Sequence, residues 1–402
     1  MDRRTVLATV TTATLGGCLN LRSGESTPTS GRDNSTETVD ETTSKSTPTV
    51  GAIDNELSLE SSWARSFPSE RYLFVDGDRL YTPVRGSGDR ADGIRAVALE
   101  SGATLWTAAL GTSPNFMYAT VANNRLYLTA NQTLYAVETT DGRIAEQRSL
   151  GNTRGPPAVV DGTVVVGTTF EEKNTLYGLD AETFAERWRV GNRLELGDGR
   201  YVPSGFDGAV AAGGRVVAAY WNGRLSAYDP TNGTELWRTQ FVTAGPKYGP
   251  FPDGVGRVLA IQSEQLVVAS LDPATGDRRW EFEFETRTGD LPPVARPAVV
   301  DGTGWLGVER NLFCFDIETG DIRWRVDLSD PVSDGRVGLT AETVWVVTGD
   351  EQATWHGYDR TDGTLRYQNP DPPLSAHILG DGTGLVASGR AALERFAVGE
   401  AE

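Results

Sequence analysis

From about residue 56 onward the chain is a succession of short apolar runs, each bounded by turn residues. "YLFVDGDRLYTPV" from Tyr72, "PAVVDGTVVVGT" from Pro157 and "PAVVDGTGWLGV" from Pro297 each hold two such runs around a tight turn. Runs of this length predict β-strands, and paired runs predict hairpins. The Asp-Gly pairs beginning at Asp76, Asp161, Asp301 and Asp381 suit two-residue turns that need positive φ, and Asn123-Asn124 and Gly213-Gly214 fill the same slot. A third run follows each hairpin: "TLYAVE", "TLYGLD", "RLSAYD", "NLFCFD" and "TWHGYD" all end on an acidic residue. The chain then turns through Thr-Gly or Asn-Gly in most units and enters a fourth run carrying an aromatic residue.

That fourth run repeats almost verbatim: "DPTNGTELW" (229–237), "DPATGDRRW" (272–280) and "DIETGDIRW" (316–324). Aligned on the closing residue, the series is Trp63, Trp106, Glu146, Trp188, Trp237, Trp280, Trp324, Tyr367, with spacings of 40 to 49 residues. Four short strands at such a period predict a propeller blade. The expected fold is all-β: an eight-bladed β-propeller of four-stranded antiparallel blades, or seven blades if one unit is degenerate. The eighth third-strand segment, "AALERFAV", runs out before a fourth strand, and "LSLESSWARSF" carries Trp63 with no hairpin before it. The N-terminal strand is therefore expected to complete the last blade and close the ring.

Within the repeat, Asp180, Asp229, Asp272, Asp316 and Asp359 are placed to accept amides of their own turns. Gly142, Gly233, Gly276, Gly320 and Gly363 supply a backbone conformation that other residues resist. The tryptophans supply flat apolar area between sheets. The pattern departs at Ala98 (for Asp), Phe184 (for Gly) and Glu146 (for Trp).

The Asp-x-x-Thr/Asn-Gly-x-x-x-Trp pattern resembles the tryptophan-docking motif of the PQQ-like propellers, over roughly residues 55–402. That family includes quinoprotein alcohol dehydrogenases and the BamB lipoprotein of outer-membrane barrel assembly. The resemblance implies the propeller fold and no single activity. Its dehydrogenases are longer than this propeller, hold calcium with Glu and Asn side chains beside the quinone, use an aspartate base and often carry adjacent cysteines. No adjacent cysteine pair exists here, and no calcium ligand or base is placed by a motif; no catalytic or metal-binding residue is carried over.

The N-terminus changes the picture of where the domain works. Arg3-Arg4 precede a short apolar run and "LGGC" (15–18), which reads as a twin-arginine export signal over residues 1–17. It resembles a lipobox that leaves Cys18 as the lipidated first residue, anchored to the outer face of the cytoplasmic membrane. Residues 18–55 are rich in Ser, Thr, Gly and acidic residues and read as a solvated tether, with the propeller over 56–402. Sequons stand at Asn34, Asn131 and Asn232. The chain carries 55 acidic against 37 basic residues, a net charge of −18, and Lys45, Lys173 and Lys247 are its only lysines. Such a surface repels nucleic acid and anionic headgroups. Excess carboxylate with almost no lysine is the composition of a protein at home in high salt, where the Debye length is about 3 Å and self-repulsion is screened.

Chemistry-bearing residues are sparse. Cys314 lies in a strand and reads as a buried thiol; His356 and His377 have no ligand-spaced company and read as structural. No phosphate loop, nucleophile elbow or zinc motif is present. The links between blades and the second-to-third-strand turns are long and idiosyncratic, and they share one end of the ring. Arg200, Tyr201, Trp221, Lys247, Tyr248, Phe251, Arg296 and Trp355 gather aromatic and cationic character there, as candidate anchors for a ligand or partner. Three functions are compatible with these residues. One is a non-enzymatic, monomeric surface lipoprotein that binds a protein or envelope component and touches the membrane only through Cys18. The others are a PQQ- and calcium-dependent oxidoreductase and a carbohydrate-binding propeller.

Overall fold

A computed structural model describes residues 55–66, 73–84, 92–110, 117–130, 132–169, 174–191, 193–195, 201–203, 205–220, 222–240, 248–252, 256–262, 267–283, 293–333, 335–349, 353–372, 378–380, 382–388 and 392–401. These residues form eight four-stranded antiparallel sheets and one two-stranded sheet. Blades 1 to 7 follow the chain in order, spanning 74–109, 117–149, 153–191, 206–240, 248–283, 294–327 and 338–369. Blade 8 takes three strands from 378–400, and the N-terminal strand Leu57–Arg65 pairs antiparallel with Leu393–Glu400 to supply its fourth. The ring is thus closed by the two ends of the propeller, as the repeat spacing predicts.

Second strands such as Thr163–Thr168, Thr303–Val308 and Thr343–Thr348 are buried along their whole length, because a neighbouring blade covers each face. The core is accordingly a series of interblade seams. Phe251, Leu259, Val294 and Phe313 join blades 5 and 6, whereas Trp63, Leu80, Leu99, Val386 and Leu393 join blade 8 to blade 1. First strands lie innermost, where those of consecutive blades meet, and fourth strands form the outer rim, alternating between buried and exposed residues.

The hairpin turns use positive φ at both central residues at Asn123-Asn124, Asp161-Gly162, Gly213-Gly214 and Asp301-Gly302. Blade 1 differs from its reading. Asp76 pairs with Arg79 in the ladder, so the turn residues are Gly77 and Asp78, with Gly77 at φ 57°. Asp381 lies outside the described residues. The long segment after blade 3 contains a small hairpin, Arg193–Glu195 against Tyr201–Pro203, where the sequence reads only as loop.

All seven turns between third and fourth strands close alike: the amide of the fifth residue donates to the carbonyl of the first at 2.7–3.0 Å. Asp180 Oδ1 accepts the amides of Glu182 and Thr183 at 3.0 and 2.9 Å, and Asp229, Asp272, Asp316 and Asp359 accept turn amides likewise. Six tryptophans then reach into the next blade, where Nε1 donates to a turn carbonyl at 2.7–3.1 Å. The indole lies flat on that blade's turn glycine. A Cβ added to Gly102, Gly142, Gly233, Gly320 or Gly363 would come 2.5–2.8 Å from the ring of Trp63, Trp106, Trp188, Trp280 or Trp324. Glycine is needed there for positive φ and for this close approach.

The third and fourth strands lose register once, immediately before the turn, in every one of these blades. The unpaired residue is the one preceding the aromatic: Arg187, Arg279 and Arg323 in three blades. A bulge re-aims its side chain, and these arginines fold back onto the turn aspartate. Arg187 Nη2 meets Asp180 at 2.8 Å, Arg323 Nη2 meets Asp316 at 2.7 Å, and Arg279 pairs with Asp272. Leu105 and Leu236 occupy the same bulge in blades 1 and 4, which explains why, among the described residues, they are the large apolar side chains left 45% and 44% exposed.

The departures from the repeat compensate one another. Blade 2 has Glu146 where the docking tryptophan belongs, and the facing turn in blade 3 has Phe184 in place of glycine, at φ 53°. Phe184 is 3% exposed and packs against Tyr127, whose hydroxyl donates to the Ala181 carbonyl at 3.0 Å. One blade's indole and N–H are replaced by a phenyl ring and an O–H from two other positions. At blade 7, Tyr367 faces no docking turn, since blade 8 ends without one. Arg366, at the bulge position there, instead binds Glu56 (3.3 Å), Glu342 (3.6 Å) and Glu400 (2.8 Å), tying the N-terminal strand and C-terminus together.

Candidate binding face

The repeated carboxylates are held apart, one per blade, each engaged by its own turn. Arg187 beside Asp180 holds its carboxyl well below the usual range, and Arg323 and Thr231 do the same for Asp316 and Asp229. At Asp272 burial pushes the other way, but the Ala274 amide and Arg279 outweigh it. All four of these carboxyls are thus held ionised near neutrality. Cys314 is buried at 1% exposure and its thiol is pushed up to about 12. His356 is buried beside Thr348 Oγ1, 2.9 Å from Nε2, and burial brings it down to about 4. Among the described residues no three His, Cys, Asp or Glu side chains converge to hold a metal ion.

The end of the ring opposite the hairpin turns is built from interblade links and second-to-third-strand turns. Its best-described part joins blades 6 and 7. The buried Glu309 turns at φ 49°, its amide donates to Pro293 O at 2.9 Å, and its carbonyl accepts the Val332 amide. The link from Leu328 to Val337 is stitched down on both sides. The Ser333 amide donates to Val347 O and its hydroxyl to Gly349 O, while Leu328, Val332 and Val337 pack into the seam. The link then runs beside the first strand of blade 6: the Arg296 amide donates to Gly335 O at 2.8 Å, and the Val337 amide donates to Arg296 O at 3.0 Å. Arg296 and Arg336 form a parallel bridge there, both half-buried.

The eight candidate anchors divide under this geometry. Phe251 and Trp355 do not belong to an exposed face: at 4% and 0% exposure they pack the seams between blades 5 and 6 and between 7 and 8, Trp355 edge-on to Phe396. Tyr201 and Tyr248 lie in strands, and Arg200, Trp221 and Lys247, like Cys18 and His377, lie outside the described residues. Arg296 remains, and the structure adds Arg336. Both stand five residues ahead of the first turn residue of their hairpin, Asp301 and Ala341. That shared position was the available signal.

The fold and its tryptophan docking define the chain as an eight-bladed propeller of the PQQ-like class. The family model for outer membrane protein assembly factor BamB matches residues 90–258 and 263–399, and the chain belongs to that family. It is 25% identical over 328 residues to the BamB of Burkholderia pseudomallei, covering 77% of this chain and 79% of that one. It is 23% identical over 162 residues to the BamB of Nitrosomonas eutropha, covering 40% and 36%. Among solved structures it resembles BamB from Moraxella catarrhalis, with a TM-score of 0.58 at 13% identity over 85% of this chain and 98% of that one. It also resembles quinohemoprotein alcohol dehydrogenase from Comamonas testosteroni, with a TM-score of 0.61 at 14% identity over 85% and 76%. At such identities these two structures share the fold alone.

Proposed function

We propose that this chain is a non-enzymatic scaffold of the cell envelope, held by a lipid on Cys18 at the outer face of the cytoplasmic membrane, whose loop end binds a protein partner. The observation that carries this reading is membership of the BamB family across most of the propeller. The repeat chemistry supports it: the aspartates, the bulge arginines and the indoles all face their own turns or neighbouring blades. The twin-arginine signal and the tether agree with a domain displayed outside the membrane.

The test is a titration of the purified full-length chain in molar salt with pyrroloquinoline quinone, with and without calcium, followed by tryptophan fluorescence. The docking tryptophans sit at every junction but two and would report occupancy. No saturable quenching is expected. Saturable, calcium-dependent quenching accompanied by dye-linked alcohol oxidation would overturn the reading in favour of an oxidoreductase.

A further inference from the structure

Among the described residues most arginines are matched to carboxylates: Arg125 to Glu138, Arg148 to Glu186, Arg187 to Asp180, Arg323 to Asp316, Arg366 to three glutamates. Arg296 and Arg336 break this rule. Among the described residues, neither guanidinium has a hydrogen bond or an ion pair, although both are half-buried and sit side by side, Arg296 on the first strand of blade 6 and Arg336 in the link that runs beside it. Two backbone hydrogen bonds tie the link to the strand on either side of Arg336, so the pair is held in place. Burial brings Arg336 down to about 9, and the charge of Arg296 contributes to the fall. Two like charges withdrawn from water with no counter-charge among the described residues are costly. The cost is removed when an anion binds.

We propose that Arg296 and Arg336 form an oxyanion site on the inner wall of the ring at its loop end, where a carboxylate or a phosphate group bridges the two guanidinium groups. Each guanidinium offers about five N–H donors in a planar fork, which matches two oxygens on one centre better than an ammonium does. In molar salt the repulsion between a ligand and the net charge of −18 is screened. Short-range, bidentate contact then decides binding, and such contacts survive salt better than long-range attraction does. This site stands independently of whether the loop end also binds a protein.

The test uses the full-length chain in molar potassium chloride, titrated calorimetrically with inorganic phosphate, with succinate and with an N-acetylated triglutamate peptide. At least one oxyanion is expected to bind saturably against the chloride background, and to bind ten-fold or more weakly to R296Q and to R336Q. A preference for phosphate over both carboxylates identifies a phosphate ligand; the reverse order identifies an acidic peptide or small acid. A second readout separates binding from structure. Without anion, R336Q melts at or above the wild-type temperature, because a like-charge contact is gone, and anion raises the melting point of wild type only. The proposal is overturned if no oxyanion binds the wild type, if R296Q and R336Q each bind as tightly as the wild type, or if unliganded R336Q melts several degrees lower.

Discussion

The junction between blades 2 and 3 offers a sharp test of the packing argument, because the docking pair there is inverted. Elsewhere a tryptophan lies on a glycine; here Glu146 faces a blade whose turn carries Phe184. Phe184→Gly removes a phenyl ring that is 3% exposed. Deleting such a ring costs about 3–5 kcal/mol, offset by about 1 kcal/mol from releasing a non-glycine residue held at φ 53°. The net expectation is a loss of about 2–4 kcal/mol. Glu146→Trp alone drives an indole into the space Phe184 fills and should cost about 1–3 kcal/mol by overpacking. The double variant recreates the arrangement of the other junctions, with the new indole N–H directed at the Ala181 carbonyl in place of the long 3.4 Å contact from Arg125 and beside the hydroxyl of Tyr127. It should return to within about 1 kcal/mol of wild type, a coupling of about 4 kcal/mol at the midpoints of these ranges. Denaturant midpoints of all four proteins at constant molar salt measure it. Losses that add within about 0.5 kcal/mol would refute the claim that the two residues answer one another.

Other consequences follow from the same structure. Burial lowers His356 from 6.5 to about 4, so the unfolded chain takes its proton first as pH falls. The stability it contributes is full above pH 6.5 and is lost between 6.5 and 4, by up to about 3 kcal/mol, and His356→Gln should flatten that limb of a melting-temperature profile. The depressed carboxyl of Asp180 acts lower on the scale: its contribution is present above the ordinary aspartate pKa of about 3.9 and lost as pH falls below it, so Asp180→Asn should be less stable at pH 7 and less acid-sensitive below pH 4. Arg366→Ala leaves Glu56, Glu342 and Glu400 facing one another at the ring's closure; a loss of about 1–2 kcal/mol is expected in dilute salt, shrinking as salt is added. Cys314, with its thiol pushed up to about 12, should resist a thiol reagent in the native chain and react fully only after unfolding.

The repeat made the architecture legible, because each blade writes its own turn, glycine and indole and the spacing counts the blades. What escaped the reading needed contacts between residues far apart in sequence. Arg187, Arg279 and Arg323 stand in plain view before their tryptophans, but only the register shift reveals that they swing back onto the turn aspartates. Glu146 and Phe184 look like two separate irregularities until the ring sets them on the same seam. The candidate face was read from residue type. Aromatic character drew in Phe251 and Trp355, which are core, while Arg336 was passed over inside a link that shows no pattern until it lies beside Arg296.

The central claim is that the loop end of this ring binds a protein and the rim does not. A photo-crosslinking residue placed at Arg310, on the loop end, and another at Leu236, on the rim, can be compared in the lipidated full-length chain within intact envelopes. The account predicts a discrete protein adduct from position 310, absent from position 236, and lost from both membrane and partner when Cys18 is replaced by serine. Equal adducts from both positions, or none from position 310, would contradict it.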